Sequence, residues 1–139
     1  MTLRNDFHAL LGSSLLEWRE GFAKISFEIQ PQHLNRSDIL HGGVLLSLLD
    51  EVGALCGIWC SVPGNRRYAV TVDLAGHFTG QSKQGTLIAI GECVSHGRSL
   101  FFARSEVRDA AGNLLSYGTS THKWRRGSES IEGVPRAGD

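Results

Sequence analysis

The sequence predicts an α+β fold in which one antiparallel sheet of about six strands wraps around one long central helix. Three observations carry this. The stretch from Val44 to Trp59 is apolar almost all round, interrupted only by small residues and one pair of acids, so both of its sides must be covered. The remaining chain divides into segments with strand periodicity and strand length. The last four of these follow one another through short turns, which implies antiparallel neighbours.

Taken in order, Asn5 or Asp6 is placed to cap a short helix, Phe7 to Leu11, closed by Gly12. Ser13 to Glu20 reads as a strand, and Glu20-Gly21 as a hairpin turn. Ala23, Ile25, Phe27 and Ile29 then alternate with Lys24, Ser26, Glu28 and Gln30, a strong period of two. Pro31 ends that strand, and a loop through Asn35 leads to His41-Gly42-Gly43, where the backbone turns into the central helix. Pro63-Gly64-Asn65 is a turn. In the next strand Tyr68, Val70, Val72, Leu74 and Phe78 are expected on one face, with Thr71, Asp73 and His77 on the other. Gly85 to Ser95, Leu100 to Val107 and Leu114 to Trp124 complete the set, separated by His96-Gly97 and Ala111-Gly112-Asn113. A sheet of this kind around one helix is the hotdog architecture. Residues 1–126 are expected to form this single domain, and 127–139, rich in Gly, Ser and charge, a flexible tail.

Composition narrows the function. A chain of 139 residues supports one domain with a sizeable core. The formal net charge is zero with no basic block, which argues against a nucleic-acid or acidic-membrane partner. The N-terminal stretch lacks the apolar core of a signal peptide, and an odd count of 3 cysteines fits a reducing, cytoplasmic setting. Cys56 and Cys60 are spaced i,i+4, but no His pair accompanies them, so packing is expected and no metal. Cys93 has no base placed beside it. Arg66-Arg67 and Lys123-Trp124-Arg125-Arg126 read as solvated charge.

The chemistry concentrates between Asn35 and Asp50. Gly42 and Gly43 leave the first helix amides bare, at the positive end of the helix dipole, where a developing negative charge is welcome. On a 3.6-residue wheel Gly43, Ser47, Asp50, Ala54 and Gly57 fall within about 40° of one another, a face of small residues with one carboxylate. Glu51 lies about 100° away and reads as a rim residue. Asp50 is seven residues past Gly43, so about 10 Å along the axis from the N-terminus of its own helix. A base or nucleophile must come within about 3 Å of the reacting atom, as must the oxyanion donors. Two such helices, antiparallel across a two-fold axis, would bring each Asp50 to the other's N-terminus. A catalytic site here is therefore expected to be shared between subunits.

Asn35, the LHGG run ending at Gly43 and the LLSLLD run ending at Asp50 resemble the hotdog acyl-CoA thioesterases of the phenylacetate-degradation (PaaI-like) group, within the 4-hydroxybenzoyl-CoA thioesterase superfamily. The flanking FHALLGSSLLEW, AVTVDLAGHF and HGRSLFFARSEVRDAAGNLLSYGTSTHKW extend the resemblance over Asp6 to Trp124. The chain departs from the pattern after Phe78, where TGQSKQG replaces a proline-containing turn. The resemblance implies hydrolysis of a thioester to free CoA and a carboxylic acid, without cofactor. It implies that the Gly42 amide polarises the carbonyl with Gly43 assisting, that His41 positions the thioester, and that Asn35 lies near the attacking water. Asp50 of the partner chain is then general base or nucleophile, with Thr71 in support. Ser47 on the same helix face and Arg98 in the HGR turn are further candidates for contacting substrate, Arg98 through CoA phosphates. A homodimer is expected, pairing again into a homotetramer. Two other readings on the same fold are a non-catalytic acyl-CoA-binding module and a hydratase or dehydratase.

Overall fold

The computed structural model describes residues 6–136. The elements are α1 (Asp6–Leu11), β1 (Ser13–Arg19), β2 (Phe22–Glu28), a 3-10 turn at Pro31–His33, α2 (Gly42–Leu55), β3 (Asn65–Arg66), β4 (Ala69–Phe78), β5 (Thr86–His96), β6 (Leu100–Asp109), β7 (Leu114–Trp124) and β8 (Val134–Pro135). Six of the strands form one sheet in the order β1-β2-β5-β6-β7-β4, every neighbouring pair antiparallel. This is the expected hotdog arrangement. The capping role expected of Asn5 lies outside the described residues.

The alternation in β2 does what its period requires. Ala23, Ile25 and Phe27 are buried, and they meet Leu45, Leu48, Leu49, Val52 and Leu55 of α2 in one core with Leu87, Ala89, Ala103, Val107 and Leu115. Leu48, Leu49 and Val52 are fully buried. Burial of such a side chain stabilises by about 1.5–3 kcal/mol relative to exposure.

Three expectations are corrected. The first is the length of the central helix, which stops at Leu55 rather than running on to Trp59. Indoles take a carbonyl at its end and one just beyond: Trp18 Nε1 donates to Leu55 O (2.8 Å), and Trp124 Nε1 to Gly57 O (2.8 Å). A Cβ on Gly57 would lie 2.1 Å from the Phe101 ring, so this turn packs onto β6 and Gly57 does not belong to the open small face. Trp124→Phe should cost about 1–3 kcal/mol by leaving a buried carbonyl unpaired, read as a lower urea midpoint at unchanged m.

The second correction is a β-bulge. Thr71 pairs with His122 but Asp73 pairs with Thr121, so Val72 is the extra residue. The bulge flips the phase of β4. Thr71, expected on the face opposite Leu74, instead turns toward α2, as do Gly76 beside Leu46 and Leu49, and Phe78 beside Gly42. His77 faces the other way and stacks on Tyr117.

The third concerns the tail expected to be flexible from Gly127. Within residues 127–136, β8 pairs with β3, and the Ser128 hydroxyl, fully buried, accepts from Tyr68 N–H at 2.8 Å. Arg67, expected as solvated charge, lies over the Trp124 ring and donates to the carbonyls of Ser128, Glu129 and Trp59. Polar composition did not prevent docking because the Arg67 guanidinium satisfies carbonyls of the segment, and the segment's Ser128 hydroxyl in turn satisfies the Tyr68 N–H.

Candidate active site

The loop before α2 is shaped by Asn35. Its Oδ1 accepts from Ser37 N–H (2.8 Å) and Ile39 N–H (3.2 Å), and its own N–H donates to Ile39 O (2.7 Å). These bonds stabilise the left-handed turn at Asp38, φ 57°. The Asn35 Nδ2 donates to no group among the described residues. His41 N–H is held by His33 O (2.9 Å), so the loop delivers His41 to the helix as its N-cap.

The cap decides which amide is open. His41 Nδ1 accepts from Gly43 N–H at 2.8 Å, while Val44 N–H and Leu45 N–H both turn to His41 O. Gly42 N–H alone among these makes no hydrogen bond to the described residues. The expectation that Gly43 assists through its amide is therefore corrected, because a capped N–H is not free for substrate. With Nδ1 accepting, neutral His41 carries its proton on Nε2, on an exposed side chain beside Gly42. The Phe78 ring, 53% exposed, stands 3.8 Å from where a Gly42 side chain would begin. Ser47 spends its hydroxyl proton on Gly43 O (2.8 Å), which leaves it only as an acceptor.

Asp50 lies on the partly open face of α2, with Gly43 exposed and Ser47 and Ala54 half-buried. Its Oδ1 accepts from Thr71 Oγ1–H at 2.8 Å, and the bulge at Val72 is what brings that hydroxyl in. Behind Thr71 stands His122, fully buried and stacked on Phe101, with Nδ1 3.3 Å from Thr71 Oγ1 and Nε2 2.8 Å from Ser120 Oγ. Sequence reasoning missed His122 and Ser120. The available signal was their phase, since they alternate with Thr121 and Lys123 on the same side of β7 as Trp124. Burial pushes the His122 pKa down, and the negative charge of Asp50 opposes that shift. The unfolded chain then takes up a proton at this site that the folded one refuses. Stability should fall as pH drops below about 6.5, and His122→Asn should flatten that fall in urea midpoints measured from neutral to mildly acid pH.

The other candidates are dispersed. Glu51, expected at a rim, is instead tied down by His8 and by Ser13 Oγ (3.0 Å), which pins α1 to α2. Arg98 is exposed in the turn before β6 and makes no hydrogen bond to the described residues. Cys56 is buried and its thiol pKa is pushed up to about 12, mainly by desolvation, so it is no nucleophile. No three His, Cys, Asp or Glu side chains among the described residues are grouped to hold a metal ion.

The family model described as the thioesterase superfamily matches residues 38–116, which includes the HGG turn, α2, the strands β4, β5 and β6 and the start of β7. The chain belongs to the thioesterase superfamily. Thioester hydrolysis, the activity the Asn-HGG-Asp register implied, is that family's chemistry. This thioesterase is 26% identical over 124 residues to human acyl-coenzyme A thioesterase 13, covering 87% of this chain and 86% of the human protein. Among solved structures it is similar to a mutant of the phenylacetic acid degradation protein PaaI of Thermus thermophilus (25% identity, TM-score 0.74, covering 87% and 99% of the two chains). The PaaI protein of E. coli shares the fold (23% identity, TM-score 0.77, covering 88% and 86%).

Proposed function

We propose that this thioesterase hydrolyses an acyl-CoA, and that each active site combines the Gly42 amide of one chain with Asp50 of a second copy. One observation supports the reading above others: the single bare amide and the single open-faced carboxylate lie on one helix, eight residues apart, about 12 Å along its axis. That is too far to serve one carbonyl, whereas a two-fold pairing of the helices closes the distance. The edge strand β4, with Val70 41% and Val72 59% exposed, offers apolar surface for such a pairing.

In this site the thioester oxygen accepts from Gly42 N–H at the positive end of α2, with His41 Nε2–H alongside. Asp50 either takes a proton from water as the water oxygen attacks the carbonyl carbon, or attacks that carbon itself. The C–S bond then breaks, the thiolate leaves and is protonated as CoA–SH, and water supplies the carboxylic acid's oxygen. This route needs no cofactor. The dimer is proposed to pair again into a tetramer, which light scattering on the purified protein reads directly. A cytoplasmic setting is supported by three unpaired cysteines. No helix among the described residues is long and apolar enough to cross a membrane.

The test is a panel of phenylacetyl-, hexanoyl-, palmitoyl- and 2-hexenoyl-CoA with detection of released thiol and, for the enoyl ester, of the loss of its conjugated double bond. Thiol release at a substantial turnover supports hydrolysis. Water addition to an enoyl-CoA without thiol release would favour a hydratase, and saturable binding without either would favour a binding module. Arg98 is proposed to meet the CoA phosphates. Arg98→Ala should then raise KM about 5- to 10-fold for CoA thioesters at unchanged kcat, and leave short thioesters without the nucleotide unaffected.

A further inference from the structure

The hydrogen bonds behind Asp50 admit one direction only. Thr71 has a single hydroxyl proton, and a carboxylate can only accept, so that proton goes to Asp50 Oδ1. Toward His122 Nδ1, Thr71 Oγ1 is left as an acceptor, so Nδ1 must carry the imidazole proton. A neutral ring then presents Nε2 as an acceptor, and Ser120 Oγ donates to it. The result is an aligned chain from Ser120 through His122 and Thr71 to Asp50.

We propose that His122 is a positioning residue for Asp50, its Nδ1–H locking the Thr71 hydroxyl in the rotamer that ties down Oδ1 and leaves Oδ2 as the free edge of the carboxylate. The inference rests on the hydrolytic reading above and assigns this tautomer and role to His122. Two features of the fold favour it over plain packing. A fully buried imidazole with both nitrogens engaged is a demanding way to fill space that a Leu would fill without desolvation. The helix also makes room for it: a Cβ on Gly53 would lie 2.6 Å from Ser120 Oγ and 3.2 Å from His122 Nε2, so α2 carries a poor helix former where it packs on the pair. Asp50 itself sits on a half-open face, where nothing else among the described hydrogen bonds holds its side chain.

The experiment compares His122→Leu, His122→Asn and Thr71→Val in the full-length protein, using the CoA ester of the panel that the unaltered enzyme hydrolyses fastest. His122→Leu should lower kcat about 10-fold or more with KM within about 2-fold. Asn puts an N–H near the place of Nδ1–H and should restore most of that loss. Thr71→Val should match His122→Leu, and the double variant should be no worse than either alone. Nitrogen NMR of the imidazole should report the Nδ1–H tautomer irrespective of activity. Unchanged kcat in folded His122→Leu, an Asn variant no better than Leu, or an Nε2–H tautomer would overturn the inference. If His122→Leu does not fold, unchanged kcat in Thr71→Val does so instead. Asp50→Asn is the control: if it stays fully active, the assignment of Asp50 falls. If it is inactive while His122→Leu is not, only the role of His122 falls.

Discussion

Asp50→Asn is expected to lower kcat for thioester hydrolysis by about 100-fold or more while leaving the fold and KM nearly unchanged. The substitution is isosteric, and the amide oxygen still accepts from Thr71 Oγ1, so the local geometry has no reason to shift. What disappears is the capacity to take a proton or to attack carbon, since a neutral amide does neither at useful rates. The side chain is half-buried, so loss of its charge does not strand an unpaired group in the core. Steady-state rates with thiol detection, beside a thermal melt, make the measurement. A variant that turns over as fast as the parent would remove Asp50 from the chemistry.

Gly42→Pro tests the other half of the site and should cost about 10²–10³ in kcat. Position 42 is the first of the helix, where proline is tolerated because the N–H it deletes has no intrahelical partner. His41 already holds the extended backbone that a following proline demands, φ −64° and ψ 134°. A side chain at 42 meets nothing closer than Phe78 at 3.8 Å. The helix should therefore form with its one open amide erased. Gly42→Ala is the matched control, adding a Cβ but keeping the N–H, and should retain most of the activity. Equal activity in the proline variant would dissociate this amide from the oxyanion.

The two variants together address the shared site. Each is expected to be inactive alone. In a co-expressed mixture, half of the dimers pair one of each, and such a dimer has one site with both defects and one with neither. About a quarter of the parental activity should return. A mixture as inactive as its components would place both groups in the same chain's site.

Much of this protein was legible before folding was considered. The alternation Ala23, Ile25, Phe27 and the all-round apolar run from Val44 are local patterns, and they marked the sheet and the helix correctly. The Asn35, His41-Gly-Gly and Asp50 register is likewise local, set by one loop and two turns of helix. The helix end was not legible, because Trp18 and Trp124, whose indoles bond the carbonyls at and just beyond it, come from strands far away in the chain. Nor was the docked segment after Gly127, whose polar composition looks disordered until Arg67 and Tyr68 are placed beside it.

By itself, then, the sequence determined an antiparallel sheet around a buried helix, and an amide and an acid too far apart along one helix to meet in one chain. Only the tertiary structure decided that Gly42 and not Gly43 carries the open N–H, and that a bulge at Val72 turns Thr71 inward with His122 behind it. The physical reason is range. Periodicity acts within a few residues; the His41 cap is as short in range, but His41 is held by the His33 carbonyl, and the Thr71 bonds join strands and helix across tens of residues, where one extra residue in a ladder reverses which side chains face the site.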